Sequence, residues 1–148
     1  MRGQGSIEYL SIISAVFVIF AAVTFTQMIS PGSNLADDTE QLGQARAGCD
    51  VISDAINGVY TSNDSVFTEI VEFSRSWSLQ LENDNVRIGV EISDGMTWVD
   101  SNVKYGFESG VHDFGSGSYA VIVERGDSDE VVMMDGEKKI FIRINPGG

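Results

Sequence analysis

An apolar segment at the N-terminus constrains the fold more than any other feature of the chain. From Ile7 to Ile29, Glu8 is the only charged residue among 23. As an α-helix this length spans roughly 34 Å, enough to cross a bilayer core of about 30 Å. Apolar residues occupy every face of that helix, so we expect it to be buried in lipid or against other protein.

The small residues suited to cleavage by a peptidase come before the apolar segment. An ordinary secretory signal instead has an apolar core of about 7–15 residues and a cleavage site after it. Here Gly3 and Gly5 precede the segment, together with the basic residue Arg2. Cleavage at this place leaves the helix in the mature protein, and the basic flank favours an orientation with the N-terminus inside.

The residues around that site form a motif. A basic residue and Gly3 are followed by Gln4, Ser6 and Glu8 at alternate positions, and then by the apolar helix. This pattern resembles the class III signal peptide of archaeal type IV-like pilins, over the first thirty residues only. The resemblance implies that a membrane peptidase cuts between Gly3 and Gln4. Residues 1–3 are then a leader peptide, and Glu8 becomes the fifth mature residue.

The resemblance also gives Glu8 a role in assembly. Cleavage exposes a positive α-amine at Gln4, and stacked subunits bring that amine beside Glu8 of a neighbouring copy. The pair offsets two desolvation costs, and a subunit out of register leaves both charges unpaired. Bacterial TadE-like pseudopilins also have a Glu-Tyr pair before an apolar helix, so they remain an alternative family.

A second helical pattern follows the apolar segment. Pro31-Gly32-Ser33-Asn34 predicts a break or a sharp kink, and residues 35–60 then predict an amphipathic helix with one stripe for a core. Asn34 or Ser33 is the expected N-cap. The stripe consists of Leu42, Ala45, Cys49, Ile52, Ile56 and Val59 or Tyr60.

Beyond residue 63 the apolar period changes from helical spacing to alternation, which predicts short strands separated by tight turns. The turn signals include Asp94-Gly95 and Asp135-Gly136. The continuous apolar runs at residues 121–123 and 131–134 favour central strands. The predicted strands are Val66–Phe73, Trp77–Glu82, Val86–Ser93, Thr97–Tyr105, Tyr119–Glu124, Glu130–Met134 and Lys139–Ile144.

The predicted fold class is α+β, in the lollipop form of the pilins. A long N-terminal helix, with an apolar stalk, a Pro/Gly break and an amphipathic second half, packs on a mainly antiparallel sheet. The predicted domains are the leader 1–3, an apolar transmembrane and assembly helix 4–30, and a globular head 31–148. The head comprises the amphipathic helix 35–60 and a β-rich part 64–148.

Composition excludes several classes of function. The net charge of −13 and the pI near 4.2 leave no basic surface to neutralise the phosphates of nucleic acid. Cys49 is the only cysteine, so neither an intramolecular disulfide nor a cysteine-based zinc site is expected, and its thiol should be buried. Asn63-Asp64-Ser65 is an N-glycosylation sequon in a predicted loop, which makes Asn63 a candidate glycosylation site.

The sequence predicts no catalytic residue, no metal site and no cofactor. His112 lies beside Asp113 in a Gly- and Ser-rich stretch, without the converging elements that a hydrolase triad needs. The acidic run 127–130 lacks the glycine and the distal glutamate of an EF-hand loop. The aromatic residues are expected mostly in the core rather than in a ligand-binding patch; they are Trp77, Trp98, Tyr105, Phe107 and Phe114.

These features predict a structural subunit of an extracellular type IV-like pilus, held in the cell membrane as a precursor and then assembled into a helical homopolymer. Its expected partners are other copies of the chain, a prepilin peptidase and a pilus assembly platform, and its exposed head serves adhesion. One alternative is a minor pilin or pseudopilin of a secretion or DNA-uptake system. Another is an uncleaved single-pass membrane protein that displays a ligand-binding β domain.

We expect the mature protein to begin at Gln4, because the motif places the peptidase site before that residue. N-terminal sequencing of the protein from its native membrane or surface fraction measures this directly. An intact Met1 in the surface fraction would contradict the processing prediction and favour the uncleaved membrane protein.

Overall fold

A computed structural model describes the backbone of residues 4–62, 66–134 and 137–147. Within these ranges it describes all side chains except those of residues 4–10, 25–33 and 134. The predicted leader, residues 1–3, lies outside the described residues. The chain divides into two compact units, Met1–Asp37 and Asp38–Gly148, and each is considered by itself.

A single helix, α1, runs from Gln4 to Thr61. The predicted break at Pro31–Asn34 is therefore wrong, because the backbone of these residues is helical, whereas the sharp kink stays a prediction. A proline inside a helix costs about 3 kcal/mol, but the cost is confined to the turn in which the hydrogen bond is lost. The element continues through the proline although Gly32, Ser33 and Asn34 are weak helix formers.

The predicted apolar transmembrane stalk is also contradicted. In the part of the chain that the structure describes, no helix is both long enough and apolar enough to cross a membrane.

The remaining described chain forms eight strands in two sheets of four. The strands are β1 Phe67–Phe73, β2 Trp77–Leu81, β3 Asn85–Ile92, β4 Gly95–Asn102, β5 His112–Phe114, β6 Gly117–Arg125, β7 Glu130–Met134 and β8 Lys139–Ile144. We call the sheet with order β1-β6-β8-β7 the mixed sheet and the sheet with order β4-β3-β2-β5 the antiparallel sheet.

The prediction of one mainly antiparallel sheet is therefore corrected to two sheets. In the mixed sheet, β8 forms a hairpin with β7 but pairs in parallel with β6. Alternation along a strand shows which of its residues are buried, whereas the choice of partner strand depends on long-range contacts. The sequence pattern therefore located the strands without assigning them to sheets.

The seven predicted strands are all present, with ends that differ by at most three residues. The strand β5 was not predicted, because three residues are too few for a visible alternation. The hairpin between β3 and β4 follows the predicted turn: Ser93 and Asp94 form its tip, and Gly95 has a φ of +114°. That backbone conformation favours glycine. The predicted turn at residues 135–136 lies outside the described residues.

The core of the second unit contains the predicted stripe of α1. Ala45, Cys49 and Ile52 are fully buried, with Ile56 and Val59 continuing the stripe. They share one hydrophobic cluster with inward residues of both sheets. The inward residues of strands β2, β3, β6 and β8 include Leu79, Leu81, Val86, Ile88, Val121, Val123, Ile140, Ile142 and Ile144.

We expect opposite effects when the two glycines at positions 43 and 48 of α1 are changed to alanine. A Cβ at position 48 would lie 2.9 Å from Phe73 Cζ, and the Phe73 ring is held by stacking on Trp77. Gly48→Ala should therefore lower the free energy of unfolding by about 1–3 kcal/mol. A Cβ at position 43 meets nothing within 4 Å, so Gly43→Ala should raise it by about 0.5–1 kcal/mol.

Urea denaturation of the two variants beside the wild-type chain measures these changes. Gly43→Ala is the matched control, since it makes the same substitution in the same helix without a core contact. Equal stabilisation by both variants would show that α1 does not approach β1 as closely as described.

Candidate functional site

An exposed apolar surface covers the part of α1 at residues 11–24, which we call the apolar segment. Every residue in it is exposed except Thr24, which is half-buried. Phe17 and Phe20 each retain 71% of their accessible surface. The exposed large apolar side chains are Ile12, Ile13, Val16, Phe17, Val18, Ile19, Phe20 and Val23.

The apolar segment has two kinds of surface. At 100° per residue, the large side chains from Ile12 to Val23 lie within one broad arc, apart from Val18. The opposite side is made of Val18 and small residues, which are Ser11, Ser14, Ala15, Ala21 and Ala22. Thr24 Oγ1 donates a hydrogen bond to the carbonyl oxygen of Phe20, at 2.7 Å, so this hydroxyl is satisfied within the helix.

The chemistry of the apolar segment is limited to packing. Residues 11–24 contain no titratable side chain, so the segment offers neither a general acid nor a general base, and no metal ligand of the carboxylate or imidazole type. Large side chains on one side and small ones on the other suit contact with more than one neighbouring helix. The surface is therefore suited to association.

The predicted processing and glycosylation residues are outside this description. Gly3 precedes the described backbone, and the side chains of Gln4, Ser6 and Glu8 are not described, although residues 4–8 are helical. Asn63 lies between the described ranges that end at residue 62 and resume at residue 66. The roles predicted for these residues stay predictions.

Cys49 is buried, as the sequence predicted. Its thiol donates to the carbonyl oxygen of Val99 at 3.2 Å and lies 3.7 Å from that of Val86. Burial raises the pKa of Cys49 to about 12, with a smaller contribution from the negative charge of Asp50. The thiol is therefore neutral and inaccessible at physiological pH.

The polar residues near His112 form separate hydrogen bonds. His112 lies in β5 opposite Leu79 of β2, and the adjacent Asp113 accepts a hydrogen bond from Ser78 Oγ at 2.6 Å. Ser109 Oγ accepts from the amide of Leu81 at 2.9 Å and donates to the carbonyl oxygen of Gly110, also at 2.9 Å. These bonds tie β5 and the chain before it to β2.

A polar groove lies where α1 meets β4. Ser101 Oγ donates to Asp50 at 3.0 Å and lies 3.1 Å from Ser53 Oγ, while Arg46 donates to the carbonyl oxygen of Asp100 at 3.0 Å. Its polar groups thus hydrogen-bond to one another across the helix–strand contact. Among the described residues, no group of three or more His, Cys, Asp or Glu side chains is placed to hold a metal ion.

Most of the aromatic residues are in the core, as expected. Trp77, Phe107 and Phe114 are buried, and Trp77 stacks between Phe73 and Phe114 with ring centroids 4.2 and 4.4 Å away. Trp98 is half-buried under the Arg87 guanidinium.

Tyr105 is a further half-buried aromatic residue, at the edge of the second unit. Its hydroxyl contacts both carboxylate oxygens of Asp129, at 2.9 and 3.0 Å, and the carbonyl oxygen of Asn145 at 2.6 Å. Partial burial, followed by the hydrogen bond to Asp129, raises the pKa of Tyr105. The side chain therefore fixes the loops after β6 and β8 to the core rather than lining a ligand site.

Comparison with known proteins gives no match to any family model, to any curated protein or to any solved structure.

We expect Cys49 to resist alkylation in the folded protein, because its thiol is buried and its pKa lies far above neutral. Iodoacetamide at pH 8 should modify no thiol in native protein and one thiol after unfolding in urea. Met96→Cys provides the control, since residue 96 is 55% exposed, and this variant should show one modified thiol when native and two when unfolded. Rapid labelling of native wild-type protein would contradict the buried position of Cys49.

Proposed function

We propose that the chain is the structural subunit of an extracellular type IV-like filament, which assembles through the apolar segment of α1. The observation that carries the proposal is the exposure of eight large apolar side chains on that segment. The N-terminal processing motif supports it, since cleavage there leaves the helix in the mature protein.

The energetics favour a partner for this surface. Burial of one Phe, Ile or Val side chain contributes about 1.5–3 kcal/mol of stabilising free energy. Eight such side chains in contact with water therefore leave a large stabilising free energy that burial against a partner would supply. Monomeric proteins in water rarely leave a continuous apolar patch of more than a few hundred Å² exposed. Contact with an apolar partner is the arrangement in which this segment is stable.

Other copies of the chain are the partner that we propose. An apolar helix of one copy packs against the same helix of its neighbours, and the Gln4 amine of one copy pairs with Glu8 of the next, which sets the register. The head, residues 31–148, carries the whole net charge of −13, because Arg2 and Glu8 cancel in the part before it, and this charge keeps the head solvated on the outside of the filament. Adhesion is the role that we propose for the head.

The proposed route includes further partners. A prepilin peptidase removes the leader at the membrane, and an assembly platform adds the mature subunit to the filament. The amount of the chain in purified filaments distinguishes a major from a minor pilin. A major pilin is the dominant band on a gel, whereas a minor pilin is present at a few copies. We propose the major subunit, because the acidic head is suited to a repeated solvent-facing surface.

Two substitutions in α1 should abolish filaments without preventing processing. Glu8→Ala removes the register charge, and Phe20→Asp places a carboxylate in the apolar contact, where an unpaired buried charge is strongly destabilising. We expect at least about a tenfold loss of filaments, equivalent to about 1.4 kcal/mol or more per subunit contact. Electron microscopy of material sheared from cells measures the filaments, and mass spectrometry identifies their subunit.

Met96→Asp is the matched control, because it puts the same charge at an exposed apolar position of β4, which is not part of the apolar segment. This variant should be processed and assembled normally. Normal filament yield from Phe20→Asp would exclude assembly through the apolar segment, and normal yield from Glu8→Ala would exclude its role in register.

A further inference from the structure

We infer that the Asp94-Gly95 peptide, at the tip of the β3–β4 hairpin, is a site of spontaneous isomerisation to isoaspartate. The fold protects the Asn57-Gly58 peptide of α1 from the same chemistry. Both peptides belong to the second unit, and the inference does not depend on filament assembly.

The reaction joins the Asp94 side chain to the backbone of the next residue. The amide nitrogen of Gly95 attacks Cγ of the Asp94 carboxyl group and forms a new C–N bond. The hydroxyl of the carboxyl group leaves as water, together with the proton of the nitrogen, and a five-membered succinimide ring remains. One water then opens the ring. When it attacks the carbonyl carbon of the former backbone, the product is isoaspartate, whose backbone runs through the side-chain methylene.

Glycine after an Asp or Asn favours this reaction, because it has no side chain to obstruct the ring and its backbone rotates freely. The chain contains three such pairs, which are Asn57-Gly58, Asp94-Gly95 and Asp135-Gly136. The third lies outside the described residues. In an unfolded chain an Asn-Gly pair reacts faster than an Asp-Gly pair, since a carboxylate is a poorer electrophile than an amide. The sequence alone would therefore rank Asn57 first.

The structure leaves Asp94 free to react. Its side chain is exposed at the tip of the hairpin, and no described residue forms a hydrogen bond or ion pair with its carboxylate. Gly95 has a φ of +114°, and a Cβ added there would meet nothing within 4 Å. The carboxyl group can therefore turn towards the Gly95 nitrogen without displacing a neighbouring side chain.

The structure holds Asn57 in place instead. Its Oδ1 accepts a hydrogen bond from the amide of Lys104 at 2.7 Å, and its carbonyl oxygen accepts one from Thr61 Oγ1 at 3.0 Å. In a helix the amide N–H of each residue donates to the carbonyl four residues earlier, which occupies the Gly58 nitrogen. A Cβ at Gly58 would lie 2.7 Å from Phe67 Cζ, so this part of the helix has no room to rearrange into a ring.

Isoaspartate would change the end of the antiparallel sheet. It adds one methylene to the backbone of a two-residue loop. On one side of Asp94 the amide of Ser93 donates to Asp38 Oδ1 at 3.0 Å, and on the other side Gly95 is the register partner of Ile92. A longer loop does not fit both contacts, so the modification should loosen this end of the hairpin. Because the two steps need only water, the modified fraction increases with the age of the chain.

Mass spectrometry of aged full-length protein tests the inference. Trypsin cleaves after Lys and Arg, so it places the two pairs in different peptides, residues 47–75 and 88–104. After several weeks at neutral pH in mild detergent, we expect at least about tenfold more modification at Asp94 than at Asn57, equivalent to about 1.4 kcal/mol in activation free energy. In concentrated guanidinium chloride the order should reverse, because the protection of Asn57 is lost.

Asp94→Asn is the matched variant, because it gives one chain the same Asn-Gly pair at both positions, so that only the surrounding fold differs. In the folded variant, deamidation at residue 94 should be at least about tenfold faster than at Asn57. In guanidinium chloride the two rates should be nearly equal. Fragmentation that cleaves the N–Cα bond distinguishes isoaspartate from aspartate in each peptide.

Resistance of Cys49 to alkylation verifies that the incubated protein is folded. An unmodified Asp94 in folded wild-type protein, with modification after unfolding, would overturn the site. Comparable deamidation of residues 57 and 94 in the folded Asp94→Asn variant would overturn the protection of Asn57.

Discussion

Burial of one stripe of α1 against both sheets is the interaction on which the second unit depends. The chain has a single cysteine, so no disulfide within it contributes to its stability. Stability must therefore come from one apolar cluster, and that cluster includes side chains of α1, the mixed sheet and the antiparallel sheet. The close approach is made possible by Gly48 and Gly58, where a Cβ would lie within 3 Å of the Phe73 and Phe67 rings.

Polar side chains of the same helix then fix the loops around that core. Asp38 accepts a hydrogen bond from the amide of Ser93 at 3.0 Å, in the β3–β4 turn. Asn57 accepts from the amide of Lys104 at 2.7 Å, just after β4. A backbone amide without a strand partner destabilises the fold when it makes no hydrogen bond. Asp38 and Asn57 accept from two such amides, so the loops can pack against α1. The same two bonds fix the position of α1 along the sheets.

Local patterns in the sequence predicted the features that depend on a single helix or strand. They failed for strand pairing and strand order, which depend on contacts between elements that are distant in the sequence. The stripe at Ala45, Cys49 and Ile52 is buried as its spacing indicated, and alternation located seven strands. Apolarity of Val131 and Val132 suggested a central strand, yet β7 is an edge strand of the mixed sheet. Neither the insertion of β8 beside β6 nor the strand at His112–Phe114 has a local signal. The sequence did identify the candidate site at the apolar N-terminal helix, because its composition is visible without knowledge of the fold.

The two ends of α1 differ in how their apolar residues are covered. Around Ile52 the apolar stripe is covered by the chain's own strands, and polar residues occupy the other faces. Around Phe17 apolar residues occupy most of the circumference, and no described part of the chain covers them. A lone helix turned fully to water gains nothing from such residues, since charged side chains would be more soluble and equally helical. The residues of the apolar segment are therefore suited to contact with an apolar surface, and this is the physical argument for our proposal that the chain assembles through them.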